Sequence, residues 1–354
     1  MKEYLSRKTV AEPGAESALE ARKREREQAA FSWRRLLPSQ ISDLISQFAA
    51  AGALIVICVA LSLASPVFLT LYNLFNIVSQ TAVTAIIALG MTFVIITAGI
   101  DLSVGSVAAL AGVLGVKMMV DWGLSWPLAV LGGTLVGGLA GLANGLLITR
   151  ARLAPFIATL GMMSVARGLV NLITGATAVF GVPDSFRLLG QGMIDGVPIP
   201  LITLVVLAVA AHLLLSRTRL GRYTYAIGSN EEAARLAGIR VGAYLVAVYV
   251  LQGLLAGFGG MVAMSRVASG QPNFGDGLEL DVIAAAVIGG CSLFGGQGTI
   301  LGTLIGAFLM AVIRNGAVLL NIDTFTQSVI IGVIIWLAVI WDQFRRRRFA
   351  AGAR

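Results

Sequence analysis

Apolar residues run along this chain in blocks of about twenty, broken by short polar or glycine-rich stretches. Ten blocks are readable: 44–65, 76–98, 103–121, 126–149, 155–174, 199–216, 241–264, 281–295, 298–320 and 326–343. A run of this length crosses roughly 30 Å of hydrocarbon at about 1.5 Å per helical residue. Within lipid every backbone amide needs an internal partner, which leaves helices or closed barrels. The blocks show no period-two alternation, so the pattern predicts helices. The expected fold is an all-α polytopic membrane protein of about ten transmembrane helices. The blocks at 76–98 and 281–295 would also fit broken or re-entrant helices.

Glycines recur every fourth residue in two blocks. Gly133, Gly137, Gly141 and Gly145 line one face of the fourth, and Gly298, Gly302 and Gly306 one face of the ninth. Small residues at this spacing let helix backbones approach closely, within one subunit or between two.

Two polar interruptions break the pattern. The first is AGIDLSVGS at 98–106, an aspartate between two hydrocarbon flanks. Here Gly99 is expected to end one helix and Asp101 to cap the next. Its carboxylate would face free amides at Ser103 or Val104, with Gly105 allowing close packing. The second, at 216–240, reads SRTRLGRYTYAIGSNEEAARLAGIR. Gly228-Ser229-Asn230 suits a turn, with either Ser229 or Asn230 capping a short helix. Glu231 and Glu232 would fill its first turn, where the dipole favours them, and Gly238 would end it. A polar helix with an alanine face at Ala233 and Ala234 is shaped for a partner to grip.

Composition fits this picture: 57% of the 354 residues are hydrophobic and only 12% charged. The basic balance, net +8, does not describe a nucleic-acid surface, because the arginines flank the blocks. With the N-terminus inside, 21 of the 26 Lys and Arg residues fall in inside segments. The positive-inside rule therefore predicts cytoplasmic N- and C-termini. The domains follow: a polar cytoplasmic tail at 1–43, a transmembrane domain at 44–344 with the cytoplasmic loop 217–240, and a basic tail at 345–354. Residues 1–43 are too long and too polar to begin a signal peptide, and read as a solvated tail, with anionic lipid as a surface to lie on.

Little here points to catalysis. None of the four lysines (Lys2, Lys8, Lys23, Lys117) follows a glycine-rich phosphate loop. Cys58 and Cys291 fall inside apolar blocks and read as core residues. His212 has no second ligand nearby, so no metal site is expected. The acidic residues Asp101, Asp121, Glu279, Asp281, Asp323 and Asp342 fall at block ends, which disfavours ion-driven transport. Arg167 is the one charge well inside a block and requires a partner carboxylate or a path out to the interface.

Three stretches carry a family resemblance. Glu232-Ala-Ala-x-x-x-Gly238 resembles the E-A-A-x-x-x-G signature of ABC importer permease subunits, without the L-P ending many of them carry. With GIDLSVG at 99–105 and GGCSLFGGQGTILGTLIGA at 289–307, it resembles the ribose/galactose/xylose-type monosaccharide branch over about residues 45–345. The resemblance implies a multi-pass subunit of the cell (inner) membrane that is not itself an enzyme. It binds no cofactor; ATP and magnesium sit on a separate ABC ATPase subunit. The other partners implied are a second permease subunit, a periplasmic or lipid-anchored sugar-binding protein and a monosaccharide substrate. It implies that 228–238 docks into the ATPase as the coupling helix, and that the turn at Gly99, Asp101, Ser103 and Gly105 is placed where a gate would be. Sugar-path candidates are Asn76, Gln80, Thr84, Thr92, Thr97, Ser164, Asn171 and Gln252. Candidates for docking the binding protein, on the outer loops 175–198 and 265–280, are Asp184, Arg187, Asp195, Arg266, Asp276 and Glu279. An ion-coupled sugar transporter and a facilitator are the alternatives.

Overall fold

A computed structural model of the chain describes residues 39–351. The expectation for the polar tail falls on residues outside this range, apart from the first turn of α1. The described residues form thirteen helices and one small hairpin. Helices α1 (Ser39–Ala64), α2 (Leu71–Ile96), α3 (Val104–Val120), α4 (Trp126–Thr149) and α5 (Pro155–Thr174) match the first five apolar blocks. A short helix α6 (Asp184–Gln191) and the hairpin β1 (Met193–Ile194) with β2 (Val197–Pro198) follow. Next come α7 (Ile199–Arg217), α8 (Arg219–Ser229), α9 (Glu231–Leu236) and α10 (Val241–Val267). The chain ends through α11 (Leu278–Ile288), α12 (Ile300–Leu319) and α13 (Thr324–Ala351). The Arg345–Arg348 run therefore continues α13.

Six helices, α2, α4, α5, α7, α10 and α12, are long and apolar enough to span a membrane; the apolar segments at 50–64, 104–120 and 324–334 are shorter. Of the two blocks that would fit broken helices, 76–98 is continuous, and 281–295 is not. Only its first eight residues, 281–288, are helical, as the greater part of α11, and an irregular, glycine-rich segment follows to Thr299.

The core is built around α2 and α10, both deeply buried. Helix α10 lies along α4, and the glycines explain how closely. A Cβ at Gly137 would stand 2.7 Å from Gly257 Cα, and one at Gly253 would stand 2.9 Å from Gly141 Cα. The other face of α4 exposes Leu128, Leu131, Leu135 and Leu139, as a lipid-facing surface requires. The fourth-block glycine stripe is thus an internal seam. In α12, Gly302 and Gly306 meet Gly289 and Ala285 at α11 in the same way.

Arg167 finds its partner across the bundle. Its guanidinium lies 2.7 Å from Asp276 and donates to the carbonyls of Pro272 and Phe274 at 2.7 and 3.0 Å. The segment before α11 therefore folds back against α5, and Gly275 packs on the backbone of Gly105. The expected outer loop at 265–280 is thus folded against the bundle.

Candidate functional site

The polar loop between α7 and α10 forms two short helices instead of a turn and one helix. Thr218 caps α8, accepting from the Gly221 amide. Gly228 and Ser229, expected in a turn, lie in the last turn of α8. Ser229 does not cap α9; its hydroxyl donates to the Tyr225 carbonyl at 2.8 Å. Asn230 does, its Oδ1 accepting from the Ala233 amide at 2.9 Å. Glu231 pairs with Arg235, one turn on, at 2.6 Å.

Gly238 ends α9 with φ +83°, where only glycine sits without strain. The Gly238 and Ile239 amides then close the helix on the Arg235 and Ala234 carbonyls at 3.0 and 3.1 Å. Ala234 turns inward against Ile227, Ile239 and Val241. Glu232, Ala233 and Leu236 point out, and Leu236 is 84% exposed. The tip of α9 thus presents one exposed leucine among polar residues. Leu236 was missed from sequence because helical periodicity cannot show which face of six residues is free.

The inner side of this loop packs on α10 through Tyr223 and Tyr244, and meets the end of α2 at a backbone junction. A Cβ at Gly228 would collide with the carbonyl of Ile96, at the end of α2, and stand 2.7 Å from the Gly296 amide. That amide itself donates to the Ile96 carbonyl at 2.8 Å. Tyr225 donates to the Gly298 carbonyl at 2.6 Å, and Gly295 packs on Gly228 and Ala98. The end of α2, the end of α8 and the segment 289–299 therefore share a single backbone junction. Each of the three sequence stretches that carry the resemblance contributes to it or adjoins it.

Beyond this junction lies AGIDLSVGS. The left-handed residue that ends α2 is Ala98, φ +61°, and not Gly99. Gly99 closes the turn with its amide on the Val94 carbonyl at 3.0 Å and provides room: a Cβ there would stand 2.6 Å from the Tyr249 hydroxyl. Asp101, 2% exposed, accepts at Oδ1 from the Ser103 amide at 2.8 Å and the Ser103 hydroxyl at 2.6 Å. Asn144 of α4 donates to that hydroxyl at 3.0 Å, tying the turn to the glycine seam. The Val104 amide takes no part.

Asp101→Asn keeps an acceptor oxygen in place, whereas Asp101→Ala leaves the Ser103 amide unpartnered. The alanine variant should lose about 1–3 kcal/mol. Thermal unfolding in detergent should then show a clearly lower midpoint for alanine than for asparagine. Loss of transport by the asparagine variant at unchanged stability would give the charge itself a role in gating.

The sugar-path candidates separate. Asn76 and Gln80, one turn apart on α2, line an open cleft with residues of α11, α12 and α13. Thr92 is fully buried, bonded to Thr303 at 2.7 Å, and Thr97 bonds its own helix at the Val94 carbonyl. Ser164 also bonds within its helix. Thr84 and Asn171 do not line the cleft. Gln252 is buried against Gly90 with its amide unpartnered among the described residues. The docking candidates separate as well. Asp184 and Arg187 sit together on α6, an exposed pair 3.4 Å apart, and Asp195 is in the hairpin turn. Arg266 ends α10, where its carbonyl accepts from Gln191. Asp276 is held by Arg167, and Glu279 is half-buried beside Gly105. Among the described residues no cluster of His, Cys, Asp or Glu is arranged to hold a metal.

Residues 73–339 match the family model described as branched-chain amino acid transport system / permease component. Among named relatives, the ribose import permease protein RbsC of Bacillus subtilis (strain 168) is 44% identical, over 82% of this chain and 90% of its own. The L-arabinose ABC transporter permease protein AraH of Azospirillum brasilense is 40% identical, over 86% and 90%. The D-allose transport system permease protein AlsC of Escherichia coli (strain K12) is 38% identical, over 82% and 89%. No solved structure matches the chain. With its apolar helices, its polar loop fastened to their core and a match across nearly all of them, the chain belongs to this family of membrane permease components.

Proposed function

We propose that the chain is the membrane-spanning subunit of a binding-protein-dependent ABC importer that moves a monosaccharide into the cytoplasm. It performs no catalysis. ATP and its magnesium bind on a separate ATPase chain, two permease copies pair in the inner membrane, and a sugar-binding protein delivers substrate from outside. Both termini and the loop 217–240 face the cytoplasm. The observation that carries this reading is the α8–α9 loop: a capped, polar helix with an exposed apolar tip, joined on its inner side to α2 and to the segment before α12. The relatives named for ribose, arabinose and allose support a monosaccharide as cargo.

The loop works as a handle. Closure of the ATPase dimer moves α9, and the junction passes that motion to the end of α2 and to the α11–α12 turn. The bundle then shifts between outward- and inward-open packings, biased by ATP and by the loaded binding protein.

Glu232→Arg and Gly238→Trp should each lower ATP-driven uptake of the imported sugar at least about tenfold in vesicles holding the full complex. The amount of subunit in the membrane should not change, because both positions are exposed. ATPase co-purification should fall in parallel. Normal co-purification and normal uptake in both variants would remove the coupling assignment.

A further inference from the structure

The cleft that takes Asn76 and Gln80 is lined by polar side chains from four helices. It lies between the first turns of α2, the segment 274–281, the end of α12 and the start of α13, and encloses about 630 Å3. That is within the range of roughly 300–1,000 Å3 usual for small-molecule sites. Asp281, Arg314, Asn315 and Gln327 join the two α2 amides in its wall. Elsewhere these helices expose hydrocarbon, as at Leu71, Leu301, Phe325 and Val329. Amides and charges inside a bilayer are retained where they face water, protein or a substrate, and not where they face lipid.

The chemistry of the wall narrows what it can hold. Arg314 lies 2.9 Å from each carboxylate oxygen of Asp281. Asp276, also at the cleft, is matched by Arg167. Each carboxylate that lines the cleft is thus already paired with a guanidinium, which leaves neither free to hold an ion. Asn73 and Asn315 hold each other through two amide hydrogen bonds of 3.1 and 2.7 Å, which fixes Asn315 in place. Asn76 and Gln80, in contrast, are exposed and make no hydrogen bond among the described residues. Their amides are free to donate and accept. Phe274 adds an apolar surface.

The geometry points to a binding site for a neutral polyhydroxyl ligand, a monosaccharide ring, in the cleft walled by Asn76, Gln80, Asp281, Arg314 and Asn315. Each sugar hydroxyl both donates and accepts, which matches free amides beside a paired carboxylate and guanidinium. The cleft is open, so the contact is brief and weak, as a transport path requires. In the orientation proposed above it faces outward, where a sugar leaving its binding protein first meets the bundle. This assignment rests on the permease reading and locates its substrate.

The test uses vesicles holding the complete complex with Gln80→Cys in the permease. Labelling by a hydrophilic maleimide is measured against the parent chain, whose Cys58 is half-buried and Cys291 buried. D-ribose, D-allose or L-arabinose should slow labelling about threefold once two-thirds of sites are filled. Glycine betaine, a zwitterion of similar size, should not. Asn76→Leu and Gln80→Leu should each lower uptake of the protecting sugar about tenfold. Labelling insensitive to all three sugars, in complexes that import at least one of them, would overturn the cleft and leave the permease reading standing. Equal protection by glycine betaine would also overturn it. If the unmodified complex imports no monosaccharide at all, the permease reading fails, and the cleft assignment with it.

Discussion

Replacing Gly228 by alanine is expected to abolish coupled uptake, a larger effect than any substitution on the exposed face of α9. The added methyl would collide with the Ile96 carbonyl and approach the Gly296 amide to 2.7 Å, and both obstacles are backbone. Neither can rotate away as a side chain would. Helix α8 would have to lift off α2, and the 2.8 Å bond from Gly296 to Ile96 and the 2.6 Å bond from Tyr225 to Gly298 would stretch with it. Overpacking of this kind costs about 1–3 kcal/mol or more, but the energy matters less than the geometry. On the proposed coupling route the junction is where movement of the loop enters the bundle, so a shift of about 1 Å there would disconnect the handle. In vesicles, uptake of the imported sugar should fall by about two orders of magnitude while the ATPase chain still associates and still hydrolyses ATP. Gly238→Ala is the contrast. No atom lies within 4 Å of a Cβ there, and only the positive φ opposes it, at about 1 kcal/mol. Gly228→Ala complexes transporting at the normal rate would show that the junction does not carry motion.

Much of the helical framework could be read from local pattern, because a span must be apolar along its whole length to sit in lipid. The blocks 126–149 and 155–174 match α4 and α5 to the residue, each begun by a proline in its first turn. The capping chemistry was partly legible: Asn230 caps α9, whereas α3 begins after Ser103, two residues beyond the expected cap Asp101, whose carboxylate holds the Ser103 amide instead. Asn230 and Ser229 were equal candidates on type alone, and the continuation of α8 through Ser229 decided between them. Gly99 seemed the natural helix end, yet Ala98 takes the left-handed conformation, and Gly99 is needed for the space Tyr249 occupies. That requirement comes from α10, about 150 residues away, and no local window contains it. The same limit hid the Arg167–Asp276 pair and the meeting of Ile96, Gly228 and Gly296. Arg167 stands out in its own segment, but its partner does not, and Ile96, Gly228 and Gly296 are brought together only by the packing of distant helices. The block at 281–295 misled for a physical reason as well. Its composition is apolar because it is buried, but Gly289, Gly290 and Gly295 take it out of helix after its first eight residues.

The second large effect is expected in the α4–α10 seam. Gly137→Leu should leave little stable subunit in the membrane. Helix association in lipid has no hydrophobic driving force, so it depends on close van der Waals contact between backbones. At Gly137 a Cβ would run into the Gly253 carbonyl and stand 2.7 and 2.8 Å from Gly257 Cα and N. Gly141 meets the Tyr249 carbonyl and Gly257 the Gly133 carbonyl, so the contact continues over several turns. A leucine at its centre would separate the helices along much of that length, not at one point. The loss is expected to exceed about 3 kcal/mol, a large part of the roughly 5–15 kcal/mol that holds a typical domain together. It would also draw Asn144 away from Ser103 and loosen the turn at Asp101, since α4 carries both the seam and that hydrogen bond. Gly168→Leu, on a helix face where a Cβ meets nothing within 4 Å, is the matched control. Membrane-fraction yield and the unfolding midpoint in detergent should fall for Gly137→Leu, the midpoint by roughly 10 °C, and stay near the parent values for Gly168→Leu. Equal yields and midpoints for the two variants would mean that the bundle tolerates a gap between α4 and α10, and that its rigidity comes from elsewhere.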